Sequence, residues 1–256
     1  MLSDNKVQFI EEILKTAGDI LIKFSKKDLK TKKSLDDNLK TNIDEILHDH
    51  IFNQLRKISN IDIISEEDDH HNAKKRPKQY FLIDPLDGTR SYVEGFSSYA
   101  TQLALIENNS VVMSFIYLPT LEEYYSAYLG GGSFLNGDRL QECKIDKPLS
   151  ITDNYKKPTN LISKLMEKSS INNYIEAGSL AYKMCLVAKN EAQVFLKETR
   201  IADWDIAPAK LILEEMGGTV TLLNGQEYSL YGEFKKKNLL VTSNKKIEQY
   251  VLKMIC

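Results

Sequence analysis

The chain predicts a layered α/β fold built on largely antiparallel sheet. Three observations carry that reading. Apolar residues recur at helical spacing near both ends of the chain, a central block of short strands is joined by tight turns, and regular strand–helix–strand crossovers are missing.

Val7, Ile10, Ile13, Leu14, Ala17, Leu21 and Phe24 predict a long amphipathic first helix capped at Ser3. The following stretch, 26–40, is mostly charged and reads as a mobile, solvated flap rather than core. Helical spacing resumes with Ile43, Ile46, Leu47, Ile51, Leu55 and Ile58, which puts Asp44 in the first turn of a second helix. Residues 61–65 and 80–83 are short apolar runs of strand type, each ending in acids. Residues 99–106 and 111–118 flank the turn Glu107-Asn108-Asn109-Ser110 and read as an antiparallel hairpin. A third strand, 123–129, stops at Gly130-Gly131-Gly132, and Asn136-Gly137 supplies another tight turn. Polar residues with Pro148 and Pro158 mark a boundary near 145–160. Beyond it the pattern predicts a helix at 181–188, strands at 192–196, 219–223 and 239–242, and a helix from Asp205 to Met216 stopped by Gly217-Gly218. A short terminal helix from Lys246 completes the chain.

A length of 256 residues against a typical ~150 per domain predicts two closely packed halves, 1–145 and 146–256, acting as one unit. Hydrophobic content of 42% with 27% charged residues excludes disorder as the main state. Lys+Arg of 34 against Asp+Glu of 36 gives a net charge of -2, which removes the electrostatic case for a nucleic-acid polymer as partner. Cys143, Cys185 and Cys256 are too scattered for a disulfide framework or a thiolate zinc site. No apolar run approaches the roughly 20 residues that membrane insertion needs, and the N-terminal stretch lacks the layout of a signal peptide. The expectation is a soluble protein of a reducing compartment, the cytoplasm.

Acidic residues gather at strand ends in a way that solubility does not explain. Ser65-Glu66-Glu67-Asp68 follows one apolar run, Asp84-Pro85-Leu86-Asp87-Gly88-Thr89 follows another, and Asp205 follows Trp204 at a helix start. Pro85 fixes φ, so the chain leaves the strand in a defined turn that can aim Asp84 and Asp87 at one point, with the Leu86 carbonyl between them. Gly88 lets the backbone approach a ligand closely, and the Gly88 and Thr89 amides can face an anion. Hard divalent ions want such oxygen ligands, and magnesium commonly completes its shell with substrate phosphate. Taken singly, each segment reads equally well as something plainer: a turn, a polar loop or a helix cap. The run 66–71, with His70 and His71, reads as a solvated loop and not a zinc site, because consecutive loop residues rarely converge on one ion.

The three segments in this order, with the third extended as WDIAPAKLILEEMGG (204–218), closely resemble the signatures of the inositol monophosphatase superfamily of metal-dependent phosphomonoesterases. The resemblance spans essentially the whole chain and implies an αβαβα sandwich with mixed, largely antiparallel sheets. It implies two to three magnesium ions: Glu66, Asp84 and the Leu86 carbonyl at the first, and Asp84, Asp87 and Asp205 at the second. Glu66 would also help a third, looser ion. Gly88 and Thr89 would meet the phosphate, and Asp44 would pair with Thr89 to orient the attacking water. Direct attack by metal-activated water needs no Ser, Cys or His nucleophile, so no role is expected for His48 or His50. Lithium sensitivity is a further family expectation.

The resemblance leaves several small phosphorylated metabolites open as substrate. The Asp68 of the first motif, the segment 178–196 with Gly178, Ser179 and Lys183, and the basic Lys197 resemble the 3′(2′),5′-bisphosphate nucleotidases. Glu198 stands six residues before Trp204, where inositol monophosphatases place a hydroxyl-binding glutamate. Arg90 and the run to Gly95 share features of nucleotidases and histidinol phosphatases. The ranking is nucleotidase, then inositol monophosphatase, then histidinol phosphatase, as monomer or homodimer. A non-catalytic metal- or nucleotide-binding protein is the reading from another class. The flap at 26–40 would close over the site and bring Lys32 or Lys33 near the phosphate.

Overall fold

The computed structural model describes residues 2–24, 29–33, 39–68, 76–144 and 148–255. Helix α1 (Asp4–Lys23) starts after Ser3, whose backbone takes the extended cap conformation while its side chain makes no cap bond. Strands β1 (Thr31–Lys33) and β2 (Leu39–Thr41) pair antiparallel. The charge-dense stretch read as a mobile flap therefore contributes paired strands. Residues 25–28 and 34–38 lie outside the described residues, as do the side chains of Lys32 and Lys33, and with them the expected closure. Helix α2 (Asn42–Ile58) opens on a capping box, Thr41 with Asp44, which replaces two lost amide partners reciprocally.

Strands β3 (Asp62–Ser65), β4 (Gln79–Asp87), β5 (Ala100–Glu107), β6 (Ser110–Leu118), β7 (Glu123–Tyr128), β8 (Gly132–Leu135) and β9 (Asp138–Arg139) form a seven-stranded sheet in that order, with the short helix α3 (Thr89–Glu94) between β4 and β5. Only β3 and β4 pair parallel; the rest pair antiparallel. Asn108 and Asn109 both take positive φ in the β5–β6 turn, as a two-residue hairpin loop matched to sheet twist requires.

The C-terminal sheet has the order β11-β10-β12-β16-β14, built from β10 (Leu149–Asp153), β11 (Ile171–Glu176), β12 (Val194–Lys197), β14 (Thr219–Leu222) and β16 (Leu239–Thr242). Here β10 lies parallel to both β11 and β12, with α4 (Asn160–Lys168) as the crossover between β10 and β11. The expectation of hairpins without crossovers fails at this point. The signal was weak because β10 has three polar side chains in five residues and α4 is a single short helix behind Pro158. A further ribbon joins β13 (Ile201–Ala202) to β15 (Lys235–Lys236).

Helices α5 (Leu180–Ala188) and α6 (Asp203–Glu215) lie between the sheets: α6 packs on β4 to β8 and on β14, and α5 on β10, β12 and β16. Helices α1 and α2 cover the far face of the first sheet, and α4 packs with α7 (Lys245–Ile255) on the far face of the second. The layers run αβαβα, with one apolar core around α5 and α6 between the two sheets and one beneath each outer pair of helices. Among the described residues no helix is long and apolar enough to cross a membrane.

Candidate active site

Strand β4 delivers the central motif from the middle of the first sheet. It is buried from Tyr80 to Asp87. The sequence suggested that the chain leaves the strand at Pro85, yet β4 continues to Asp87 by means of a register shift. Asp84 pairs with Gln102 and Asp87 with Ala100. Pro85 brings no N–H to the ladder, and a bulge is where a strand tolerates that loss and re-aims its side chains. The Leu86 amide folds back onto Asp84 Oδ1 at 3.1 Å. Gly88 then caps α3 at φ 90°, ψ 38°; a Cβ there would stand 2.6 Å from the Ser179 Cβ.

Glu66 leaves β3 in the turn beside β4, its amide bonded to the Ile83 carbonyl at 3.1 Å. Asp205 sits in the first turn of α6, where its Oδ2 accepts the Ala202 amide at 2.8 Å. Glu66, Asp84 and Asp205 each offer a carboxylate oxygen within 4.8 Å of the others. The remaining acids of the first motif turn elsewhere: Asp68 Oδ2 accepts the Ser65 amide at 2.8 Å and Glu67 pairs with Lys40 at 2.9 Å. Asp87 lies beside the three but points to the start of α5, its Oδ2 accepting the Ala181 amide at 2.5 Å and its Oδ1 the Leu180 amide at 3.4 Å.

The electrostatics follow from this crowding. Burial, then the charge of Asp205, pushes the Glu66 carboxyl well above its ordinary range. Burial, then Glu66, does the same to Asp84, and Glu66 and Asp84 share a hydrogen bond. Burial, then Asp87, raises Asp205 to about 7. Asp87 is raised by burial and held down by the α5 amides. Two like charges ~4 Å apart at an effective dielectric near 20 cost roughly 4 kcal/mol, so these carboxylates are stable together only when protonated or when cations lie among them. A donor set of carboxylates with a peptide carbonyl nearby, and no imidazole or thiol within it, suits a hard divalent ion. Glu66, Asp84 and Asp205 fit magnesium in donor chemistry.

Asp44 and Thr89 meet as the motif implies. Thr89 Oγ1 lies 3.0 Å from Asp44 Oδ1 and 3.2 Å from the Leu86 carbonyl. Asp44 is 2% exposed, and its Oδ2 accepts the Thr41 amide and hydroxyl at 2.7 and 2.6 Å. Burial raises its carboxyl, while the bonds from Thr41 and Thr89 oppose the rise.

The acids and Thr89 open into a cavity of about 750 Å³, walled on the other side by residues 176–180, Tyr182, Lys183, Lys197 and residues 200–202. Gly178 is there because a Cβ would fall 1.9 Å from Ser98 Oγ and 2.4 Å from Ser91 Oγ. Ser179 caps α5 and accepts the Tyr182 amide at 3.1 Å. Lys183 is 1% exposed, with Nζ 2.8 Å from the Gly178 carbonyl. Burial, then the neighbouring Lys197 charge, lowers Lys183 to about 7. Lys197 lines the cavity; Glu198 is exposed and lies outside its wall. Sequence reasoning missed Lys156, Arg200 and Lys235, which also line it, and took Arg90 only as a mark of subfamily. Lys156, Arg200 and Lys235 lie outside the three motifs with no spacing that ties them to the acids, whereas Arg90 directly follows the second motif.

A model of the inositol monophosphatase family matches residues 4–256. The fructose-1,6-bisphosphatase/inositol-1-monophosphatase of Thermotoga maritima is 28% identical over 256 residues, covering 98% of this chain and 96% of its own. The 3′(2′),5′-bisphosphate nucleotidase CysQ of Aggregatibacter actinomycetemcomitans is 24% identical over 253 residues, covering 95% and 93%. A solved IMPase from Thermotoga maritima superposes with a TM-score of 0.84 at 26% identity, covering 98% of this chain and 96% of that one.

Proposed function

The chain belongs to the inositol monophosphatase family and is a metal-dependent phosphomonoesterase, and from that premise we propose that its substrate is a 3′(2′),5′-bisphosphate nucleotide and its ion magnesium. The observation that carries the choice is one cavity with an acidic floor, Glu66, Asp84 and Asp205, and a wall that includes the buried Lys183 and the half-buried Lys197.

Magnesium held by Glu66, Asp84, Asp205 and the Leu86 carbonyl, joined by Asp87, would screen the phosphate dianion and acidify water. The protein's own part is positioning. Thr89 Oγ1 donates its proton to Asp44 Oδ1 across 3.0 Å, leaving its lone pairs to accept a proton from the attacking water and fix its direction. Asp44 is locked by Thr41, so the pair cannot rotate away. The Gly88 and Thr89 amides hold the reacting phosphate. Lys183 meets a second phosphate: burial and the Lys197 charge disfavour its ammonium, and an anion beside it offsets both. Gly178 and Ser179 shape the adjoining wall. An inositol substrate would call on Glu198 for a hydroxyl, and that residue lies outside the cavity wall.

Purified protein with millimolar magnesium should release phosphate from adenosine 3′,5′-bisphosphate with a higher kcat/KM than from inositol 1-phosphate. Lys183→Met and Lys197→Met should each raise KM for the bisphosphate about tenfold or more, the scale of one charge-assisted hydrogen bond, and leave a singly phosphorylated substrate nearly untouched. Equal preference for the two substrates refutes the nucleotide assignment. Absence of any phosphate release from nucleotide, inositol and histidinol phosphates supports a non-catalytic binding protein.

A further inference from the structure

Two residues ahead of Asp205, at the first position of α6, Asp203 is fully buried. Its Oδ1 accepts from Tyr228 Oη at 2.6 Å and Lys236 Nζ at 2.7 Å, and its Oδ2 from Arg76 Nη2 at 2.5 Å. Its amide donates to the Phe234 carbonyl at 2.8 Å. Arg76 stands three residues before β4. Its Nη1 reaches Tyr80 Oη of that strand at 3.2 Å, its Nη2 reaches the Gly232 carbonyl at 3.0 Å, and its guanidinium carbon lies 3.8 Å from the Phe234 ring centre.

The pair therefore ties α6 to the segment that leads into β4, and through Tyr80 to β4 itself; these are the elements that carry Asp205 and Asp84. When both are ionised, the carboxylates of Asp84 and Asp205 repel across the junction of α6 and β4. A buried Arg–carboxylate bond resists displacement, because separating its partners would strand the guanidinium away from water and leave Asp203 with Lys236 as its remaining cation. We propose that Arg76 and Asp203 are positioning residues that hold α6 against β4 and so preset Asp205 for a divalent ion. This rests on the metal-dependent reading above. It concerns how the ion site is assembled rather than which residues touch the ion. The hydrogen bond that Asp205 accepts comes from Ala202, in the same segment, and does not tie α6 to β4.

The test is magnesium binding by titration calorimetry on substrate-free protein. Arg76→Met is the first variant, because Asp203 keeps Lys236 as a counter-charge and the fold is spared an unpaired buried anion. Circular dichroism and the melting temperature in chelator report the fold separately. The expected result is a magnesium dissociation constant raised about tenfold or more, the usual cost of removing an outer-shell support, with Arg76→Lys recovering part of the loss. A folded Arg76→Met protein with wild-type magnesium affinity overturns the proposal, as does a fall in melting temperature with no change in that affinity. If Arg76→Met does not fold, Arg76→Lys decides on the same criterion. Wild-type protein that binds no magnesium defeats the metal-dependent reading instead, so the two failures are distinct.

Discussion

Asp205 and Lys183 face one cavity and are displaced in opposite senses by the same burial. Asp205 moves from 3.8 to about 7 and Lys183 from 10.5 to about 7. For Asp205 the folded state binds more protons than the unfolded state between those two values, so stability falls as pH rises from about 4 to 7; Glu66 and Asp84 act in the same direction. For Lys183 the unfolded state binds more protons from about 7 to 10.5, so stability recovers over that range. The metal-free protein should therefore show a trough of melting temperature on the neutral-to-alkaline side, and Lys183→Met should flatten its alkaline limb. A profile unchanged by that substitution would put the ammonium in solvent. Thr89→Ala keeps the backbone amide and loses the hydroxyl. We expect kcat to fall about a hundredfold or more with KM nearly constant; an unchanged kcat removes the Asp44–Thr89 pair from the chemistry.

At the scale of elements, close approach decides what substitutions are tolerated. Gly178→Ala drives a methyl into Ser98 and Ser91, which should cost about 1–3 kcal/mol as an overpacking strain and raise KM by displacing the Ser179 cap. Denaturant unfolding checks the first and steady-state kinetics the second. The same scale shows what the sequence could reveal. Helices α1, α2, α5 and α6 were legible because their apolar spacing or their Gly217-Gly218 stop is local information, and so was the β5–β6 hairpin with its paired asparagines. The Asp44–Thr89 contact was legible only through family resemblance, since the two residues are far apart in the chain. The parallel run β10–α4–β11 was not, because its strands are polar enough to read as linker. Nor was the continuation of β4 through Pro85: propensity treats that residue as a break, while pairing with β5 accommodates it as a bulge. The basic wall of the cavity escaped because Lys156, Arg200 and Lys235 come from loops and a two-residue strand.

Over the whole molecule, the acidic floor is carried by the first sheet and by α6, and the basic wall by α5, β12 and the chain around them, so the cavity exists only when these layers are stacked. Ion binding to that arrangement must then stabilise the entire fold. Magnesium at a hundred times its dissociation constant should add about 2.7 kcal/mol, or roughly 5–10 °C of melting temperature for a chain of this length. Scanning calorimetry with chelator and with magnesium measures it, and coincident transitions would deny any ion site specific to the folded state. Asp87 adds a less obvious outcome. Its oxygens now serve the peptide N–H groups of Leu180 and Ala181, and an ion that recruits them takes that acceptor away. Deuterium should then enter those two positions faster as magnesium is titrated in, while it enters the rest of the protein more slowly. The opening of α5 would thus act as a built-in reporter of occupancy, readable without any substrate.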